Sequence, residues 1–124
     1  MAGKGTILLV EDEALIAVAA AEALRDLGFE VEEAATAAAA RAFAKDHTGK
    51  LSAAIIDLNL PDGKGDALAK ELRALKPDLP IVIATGEGGS APAGDLKGRA
   101  PIALLSKPYD SEGLRKSLVT VGLG

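Results

Sequence analysis

Four short apolar runs and one alternating run divide this chain, and each closes on polar or charged residues. Thr6-Ile7-Leu8-Leu9-Val10 is apolar and partly β-branched and stops at Glu11-Asp12-Glu13, so it predicts a buried strand that meets three consecutive acids. Phe29-Glu30-Val31-Glu32-Glu33-Ala34 alternates apolar with charged, the pattern of a sheet edge with one wet face. Residues 53–56 are too apolar for a wet face and lead into Asp57, then into the turn-forming Pro61-Asp62-Gly63. Ile81-Val82-Ile83-Ala84 closes on Thr85-Gly86, and Pro101-Ile102-Ala103-Leu104-Leu105 leads to Ser106-Lys107-Pro108-Tyr109.

Helical stretches separate these runs. The Ala/Leu-rich stretch 14–27 predicts a helix with Gly28 just past its end, and Thr36 is placed to cap a helix over 37–45, followed by a loop at 46–50. Residues 64–75 carry Leu68, Leu72 and Leu75 on one face and stop at Lys76-Pro77-Asp78. Asp110 is placed to cap a helix over 112–121 with Leu114, Leu118 and Val121 facing the core. The glycines and Pro92 of 87–94 oppose a helix start, which predicts a short, late or mobile helix there.

Strand and helix alternate five times, which predicts a doubly wound, open parallel α/β sheet with about five helices. The edge-like second strand and the apolar first, third and fourth favour the order 2-1-3-4-5. Right-handed crossovers then reverse the winding between strands one and three, where ligands bind outside the carboxyl ends. Those ends carry Glu11, Asp12 and Asp57.

Composition narrows the picture. The 124 residues are 48% hydrophobic and 2% aromatic, which suits one domain over 1–124 with a core of Ala, Leu, Ile and Val and no separate output domain. No apolar run reaches about eighteen residues and no signal peptide is evident, so the expected location is the cytoplasm, with no membrane contact. Cysteine is absent, which removes disulfides, thiolate metal sites and cysteine nucleophiles. A net charge of -4 without a basic patch argues against nucleic acid as a partner.

Carboxylates converging in one crevice repel unless a cation joins them. Oxygen donors without His or Cys select a hard ion, and a shallow, watered site suits Mg²⁺ better than Ca²⁺. Two other strand ends supply the hydroxyl of Thr85 and the ammonium of Lys107, completing a set suited to stabilising a phosphoryl group. Singly, Glu11-Asp12 fits a helix N-terminus, Asp57 a strand end, Thr85 a turn and Lys107 a solvated charge. Together, four of the five strands end in the required group. His47 reads as exposed and inert.

Val10-Glu11-Asp12-Glu13, Asp57-Leu58-Asn59-Leu60-Pro61-Asp62-Gly63, Ala84-Thr85-Gly86 and Ser106-Lys107-Pro108-Tyr109 resemble the motifs of the response-regulator receiver domain of two-component signalling, over nearly the whole chain. The resemblance implies a flavodoxin-like fold, Asp57 as phosphoacceptor, and Mg²⁺, replaceable by Mn²⁺, bound by Asp12, Asp57 and the backbone carbonyl of Asn59. It further implies that Glu11 holds a metal-bound water, that Thr85 bonds a phosphoryl oxygen, that Lys107 pairs with the phosphoryl group, and that the peptide between Lys107 and Pro108 is cis. On this basis Asp57 attacks a phosphohistidine in line, forming an acyl phosphate, and the protein is a signalling domain that acts only on its own phosphorylation. The side chains of Asn59 and Glu87, two beyond Asp57 and Thr85, resemble the pair of chemotaxis-type receivers and imply a short-lived phosphorylated state.

Two departures from the family stand out. Receivers commonly place an aromatic residue or His three before the lysine, but that position is Leu104, so the usual aromatic switch is absent or relocated, with Tyr109 a candidate. The stretch 80–87 is similar to the Pro-Phe-X-Phe-Ala-Thr-Gly-Tyr of stand-alone "FAT GUY" receivers, lacking both Phe and the Tyr. With the Gly/Pro-rich segment, these changes imply an order-disorder switch over 87–99 beside the Thr85/Leu104 face. The implied partners are a sensor histidine kinase or a histidine phosphotransfer protein and a further downstream protein, met by a monomer. A stand-alone regulator or phosphate sink fits better than a receiver excised from a hybrid kinase. The competing reading, an aspartate-nucleophile phosphatase, looks for a second Asp where Asn59 stands; a pseudo-receiver usually lacks one of the acids or the lysine, all present here.

Overall fold

The computed structural model describes residues 5–85, 102–107 and 109–123. The apolar runs become the central strands: β1 (Thr6–Val10), β3 (Leu51–Asp57) and β6 (Ile81–Thr85) are buried almost throughout. The alternating run becomes β2 (Glu30–Ala34), with Glu30, Glu32 and Glu33 exposed and Ala34 buried. With β7 (Ile102–Ser106) these form a five-stranded sheet in the order β2-β1-β3-β6-β7, every pairing parallel. This is the flavodoxin-like order expected, its fourth and fifth strands numbered β6 and β7 because a small antiparallel pair, β4 (Asn59–Leu60) and β5 (Gly63–Lys64), intervenes.

Helices cover both faces, which is why the strands need no polar side. Ile7, Leu9, Ala53, Ile55 and Val82 pack with α1 (Ala14–Asp26) and α4 (Ser111–Thr120), while Leu8, Val10, Ala54, Ile56, Ile81 and Ile83 pack with α2 (Ala37–His47) and α3 (Gly65–Leu75). Burying each of the Ile, Leu and Val side chains among these contributes about 1.5–3 kcal/mol.

The expected caps are present: Thr36 accepts the Ala39 N–H at 3.0 Å and Asp110 the Gly113 N–H at 2.8 Å. Gly28, with φ +103°, ends α1 in a left-handed turn, the Phe29 N–H donating to the Leu24 carbonyl at 3.1 Å.

Two details differ from expectation. Leu75 is 43% exposed because α3 has run past the core, and Leu79 on the following turn is buried instead. α2 continues beyond Lys45 to His47, so His47 is half-buried rather than exposed, stacked on Phe43 one turn earlier with ring centroids 4.3 Å apart. Four α-helices lie among the described residues; the fifth expected helix, Glu87, the 87–99 switch and the peptide to Pro108 fall outside them.

Candidate functional site

Parallel register brings the acids together. Val10 pairs with Ile56, so Glu11 and Asp57 follow side by side on neighbouring strands. The Glu11 N–H donates to the Ala34 carbonyl at 3.0 Å, carrying the ladder one residue past β1 and fixing the backbone beneath this carboxylate. Glu11 is 4% exposed and Asp57 6%, whereas Asp12 faces solvent. Carboxylate oxygens of all three lie within 4.8 Å of one another.

The far strands bring the countercharge. Asp57 pairs with Ala84, one residue before the buried Thr85. Thr85 pairs with Ser106, and the Lys107 N–H donates to the Thr85 carbonyl at 2.8 Å, which anchors the backbone of the lysine at the mouth of the same crevice. Its Nζ lies 3.0 Å from Asp57 Oδ2 and 3.1 Å from Glu11 Oε1. The remaining oxygens also have donors: Asp57 Oδ1 accepts the Asn59 N–H and Glu11 Oε2 the Glu13 N–H, each at 3.2 Å.

One ammonium does not balance the cluster. Burial pushes the Glu11 carboxyl above its ordinary value, and the charge of Asp57 adds to this despite hydrogen bonds from Glu13 and Lys107. At Lys107 burial opposes the charge, yet the hydrogen bonds to Asp57 and Glu11 outweigh it and raise the pKa. Surplus negative charge, oxygen-only donors and a solvent-facing Asp12 fit a small hard cation that keeps part of its hydration. Glu11, Asp12, Asp57, Asn59, Thr85 and Lys107 thus lie at the carboxyl end of the sheet or in the loops leaving it. Leu104, paired with Ile83 further down β7, is 48% exposed and stands apart from the acids.

Beside Lys107 a cavity of about 280 Å³ opens between α1 and α4, with Leu15, Ile16 and Tyr109 in its lining. The Tyr109 hydroxyl is buried without a hydrogen-bond partner among the described residues, and burial together with the charge of Glu11 pushes its pKa up to about 12.

The loop after Asp57 holds what sequence reasoning missed. Its turn is a small hairpin, Asn59 opposite Lys64 and Leu60 opposite Gly63, and Lys64 Nζ donates to Asn59 Oδ1 at 3.3 Å. Asp62, read only as a turn residue, accepts the Ala37 N–H at 2.8 Å and the Ala38 N–H at 3.0 Å from the first turn of α2. No local signal marks a partner 25 residues away. Gly65 carried a signal: glycine opening a helix is poor helix chemistry, and here a Cβ would collide with the Asp57 carbonyl oxygen.

Comparison with known proteins agrees with this geometry. The family model "Response regulator receiver domain" matches residues 7–119. The sensor kinase CckA of Brucella abortus is 31% identical over 92% of this chain, and the photosynthetic apparatus regulatory protein RegA of Rhodobacter capsulatus 32% over 94%. The chain spans 12% of the first and 62% of the second. A crystal structure of a response regulator receiver protein from Sinorhizobium medicae superposes with a TM-score of 0.80 at 26% identity, covering 94% of this chain and 93% of that one. Because the family match runs from the first strand of the sheet to the last helix and takes in every acid of the crevice, the chain belongs to the response-regulator receiver domains of two-component signalling, a family of signalling domains.

Proposed function

We propose that Asp57 is a phosphoacceptor that takes a phosphoryl group from a phosphohistidine on a partner protein. A carboxylate oxygen of Asp57 forms the new P–O bond as the P–N bond breaks, and that bond's electron pair returns to the imidazole. The observation that carries the reading is the setting of Asp57: a buried carboxylate at a strand end, with one oxygen on the Asn59 N–H and the other on Lys107. Lys107 would follow the charge onto the transferred oxygens, and the Thr85 hydroxyl would donate to one of them. Asp12, Asp57 and the Asn59 carbonyl would hold Mg²⁺, or Mn²⁺ in its place, with Glu11 one water further out. When bound, the ion supplies neutralising charge for the transferring oxygens.

A sensor histidine kinase or a histidine phosphotransfer protein is the proposed donor in the cytoplasm. Similarity to both a sensor kinase and a regulator supports a phosphohistidine source, and the exposed Leu15 and Val18 on α1 give a protein donor an apolar surface near the crevice. Asn59 and Glu87 are proposed to set a short phosphoryl lifetime, and the Thr85/Leu104 face to carry the change to a downstream protein.

The test is phosphorylation by a small acyl phosphate or a phosphorylated kinase. The label should be lost in hot acid as well as in alkali, be released by hydroxylamine as an acyl phosphate is, and be absent in Asp57→Asn. Label retained by Asp57→Asn would remove Asp57 from the role. Sustained turnover of phosphomonoesters would favour a phosphatase instead.

A further inference from the structure

The hairpin that carries Asn59 is too small to hold its own shape. It has two cross-strand pairs and a two-residue turn at Pro61 and Asp62, well below what stands alone in water. Its position is therefore set by attachments. Leu60 is buried, and at the base the Gly65 N–H donates to the Leu58 carbonyl at 2.7 Å. At the tip the attachment is Asp62, whose two carboxylate oxygens take the Ala37 and Ala38 N–H groups. Those donors belong to the first turn of α2, where N–H groups lack partners within the helix and the dipole favours negative charge. The same turn is independently capped by Thr36, whose side chain accepts the Ala39 N–H and neither of the two that Asp62 takes, so the fastening of the hairpin and the capping of the helix are separable.

We propose that Asp62 is a positioning residue: by tying the hairpin tip to α2 it holds the Asn59 backbone against Asp57, and so sets how well the acidic crevice takes up a divalent cation. The proposal rests on the reading of that crevice as a metal-assisted phosphoacceptor site. By linkage, occupation of the crevice must tighten the first turn of α2 as much as Asp62 tightens the crevice.

The test uses the whole chain and Mg²⁺ alone, without phosphodonor. Mg²⁺ affinity is measured by titration, and amide exchange at Ala37, Ala38, Asn59 and Gly65 is followed with and without the ion. Asp62→Ala should weaken Mg²⁺ about tenfold, the low end of what supporting groups around a metal contribute. Exchange at Ala37, Ala38 and Asn59 should quicken in the metal-free protein. Asp62→Asn removes the same charge but keeps one acceptor oxygen, so it should lie between the two and serves if Asp62→Ala fails to fold. Thr36→Ala should loosen α2 yet weaken Mg²⁺ far less than Asp62→Ala, because the hairpin stays fastened. Equal affinity in wild type and Asp62→Ala, or equal weakening in Asp62→Ala and Thr36→Ala, would overturn the proposal. If wild type takes up no Mg²⁺, the metal reading of the crevice fails by itself. The fastening is then judged on metal-free exchange alone, where Asn59 and Gly65 unchanged in Asp62→Ala would overturn it.

Discussion

Lys107 holds Glu11 as closely as it holds Asp57: its ammonium is 3.1 Å from Glu11 Oε1 and 3.0 Å from Asp57 Oδ2. Removing it would leave two buried carboxylates facing each other. Lys107→Met, which keeps most of the side-chain volume, should therefore lower metal-free stability by about 1–3 kcal/mol, read by denaturant unfolding. Adding Mg²⁺ should restore more stability to this variant than wild type gains. An unchanged midpoint without metal would mean that the ammonium does not bind the two acids together.

Glu11 gives the opposite sign. Its folded pKa is raised, chiefly by burial, so the unfolded chain holds fewer protons between 4.5 and the folded value and the charged form disfavours folding above that window. Metal-free wild type should gain stability as pH falls from neutral through that window, and Glu11→Gln should be more stable than wild type at neutral pH while binding Mg²⁺ less well. Thermal unfolding across pH checks both. Asp62 runs the other way: hydrogen bonds from Ala37 and Ala38 hold its carboxyl below the usual 3.8, so its contribution is present above that value and is lost as pH falls through the folded pKa.

Gly65 has backbone where a side chain would go. A Cβ there would meet the Asp57 carbonyl oxygen, with the Asp57 carbonyl carbon and Leu58 Cα each at 2.9 Å, and none of these is a flexible side-chain end. Gly65→Ala, favourable by helix propensity, should instead destabilise by about 2 kcal/mol or more through the backbone shift it forces. It should also weaken Mg²⁺ binding, because the displaced atoms belong to Asp57. Equal stability in a denaturant titration would count against the close approach.

Tyr109 keeps its proton well into the alkaline range. Its pKa is pushed up to about 12 by burial and by Glu11, so the unfolded chain releases this proton first, from near 10, and stability falls as pH rises from there through about 12. Lys107, whose folded pKa is also raised, adds to the same alkaline loss. Tyr109→Phe removes a buried hydroxyl that has no partner among the described residues, and should be neutral or stabilise by up to about 1 kcal/mol while flattening the alkaline limb.

The fold was legible because the strands are short, apolar and separated by helices with clear ends. Thr36, Gly28 and Asp110 each stop or start a helix by a bond spanning only a few residues, which sequence can announce. The acids were legible for a topological reason: once the strand order is known, Glu11 and Asp57 must be neighbours. What escaped depends on contacts between distant segments. Asp62 looked like a turn former and is also the fastening of α2, while Leu75 had the right periodicity but lay beyond the end of the core that would have covered it. His47 escaped because two further helical residues put it over Phe43.

The residues that α2 buries outright, Ala37, Ala40 and Ala44, are all alanine. Their methyl groups let the helix backbone lie close to the sheet, with the half-buried Phe43 as the one large apolar side chain α2 adds to the contact among the described residues. Near its leading end α2 is pinned by Thr36 and Asp62; farther along, Phe43 packs against the same core and Arg41 pairs with Glu71 of α3 at 2.7 Å. Held at its first turn and tied to α3 in its middle, α2 would hand a displacement of the Asp62 turn on to its neighbour rather than absorb it alone.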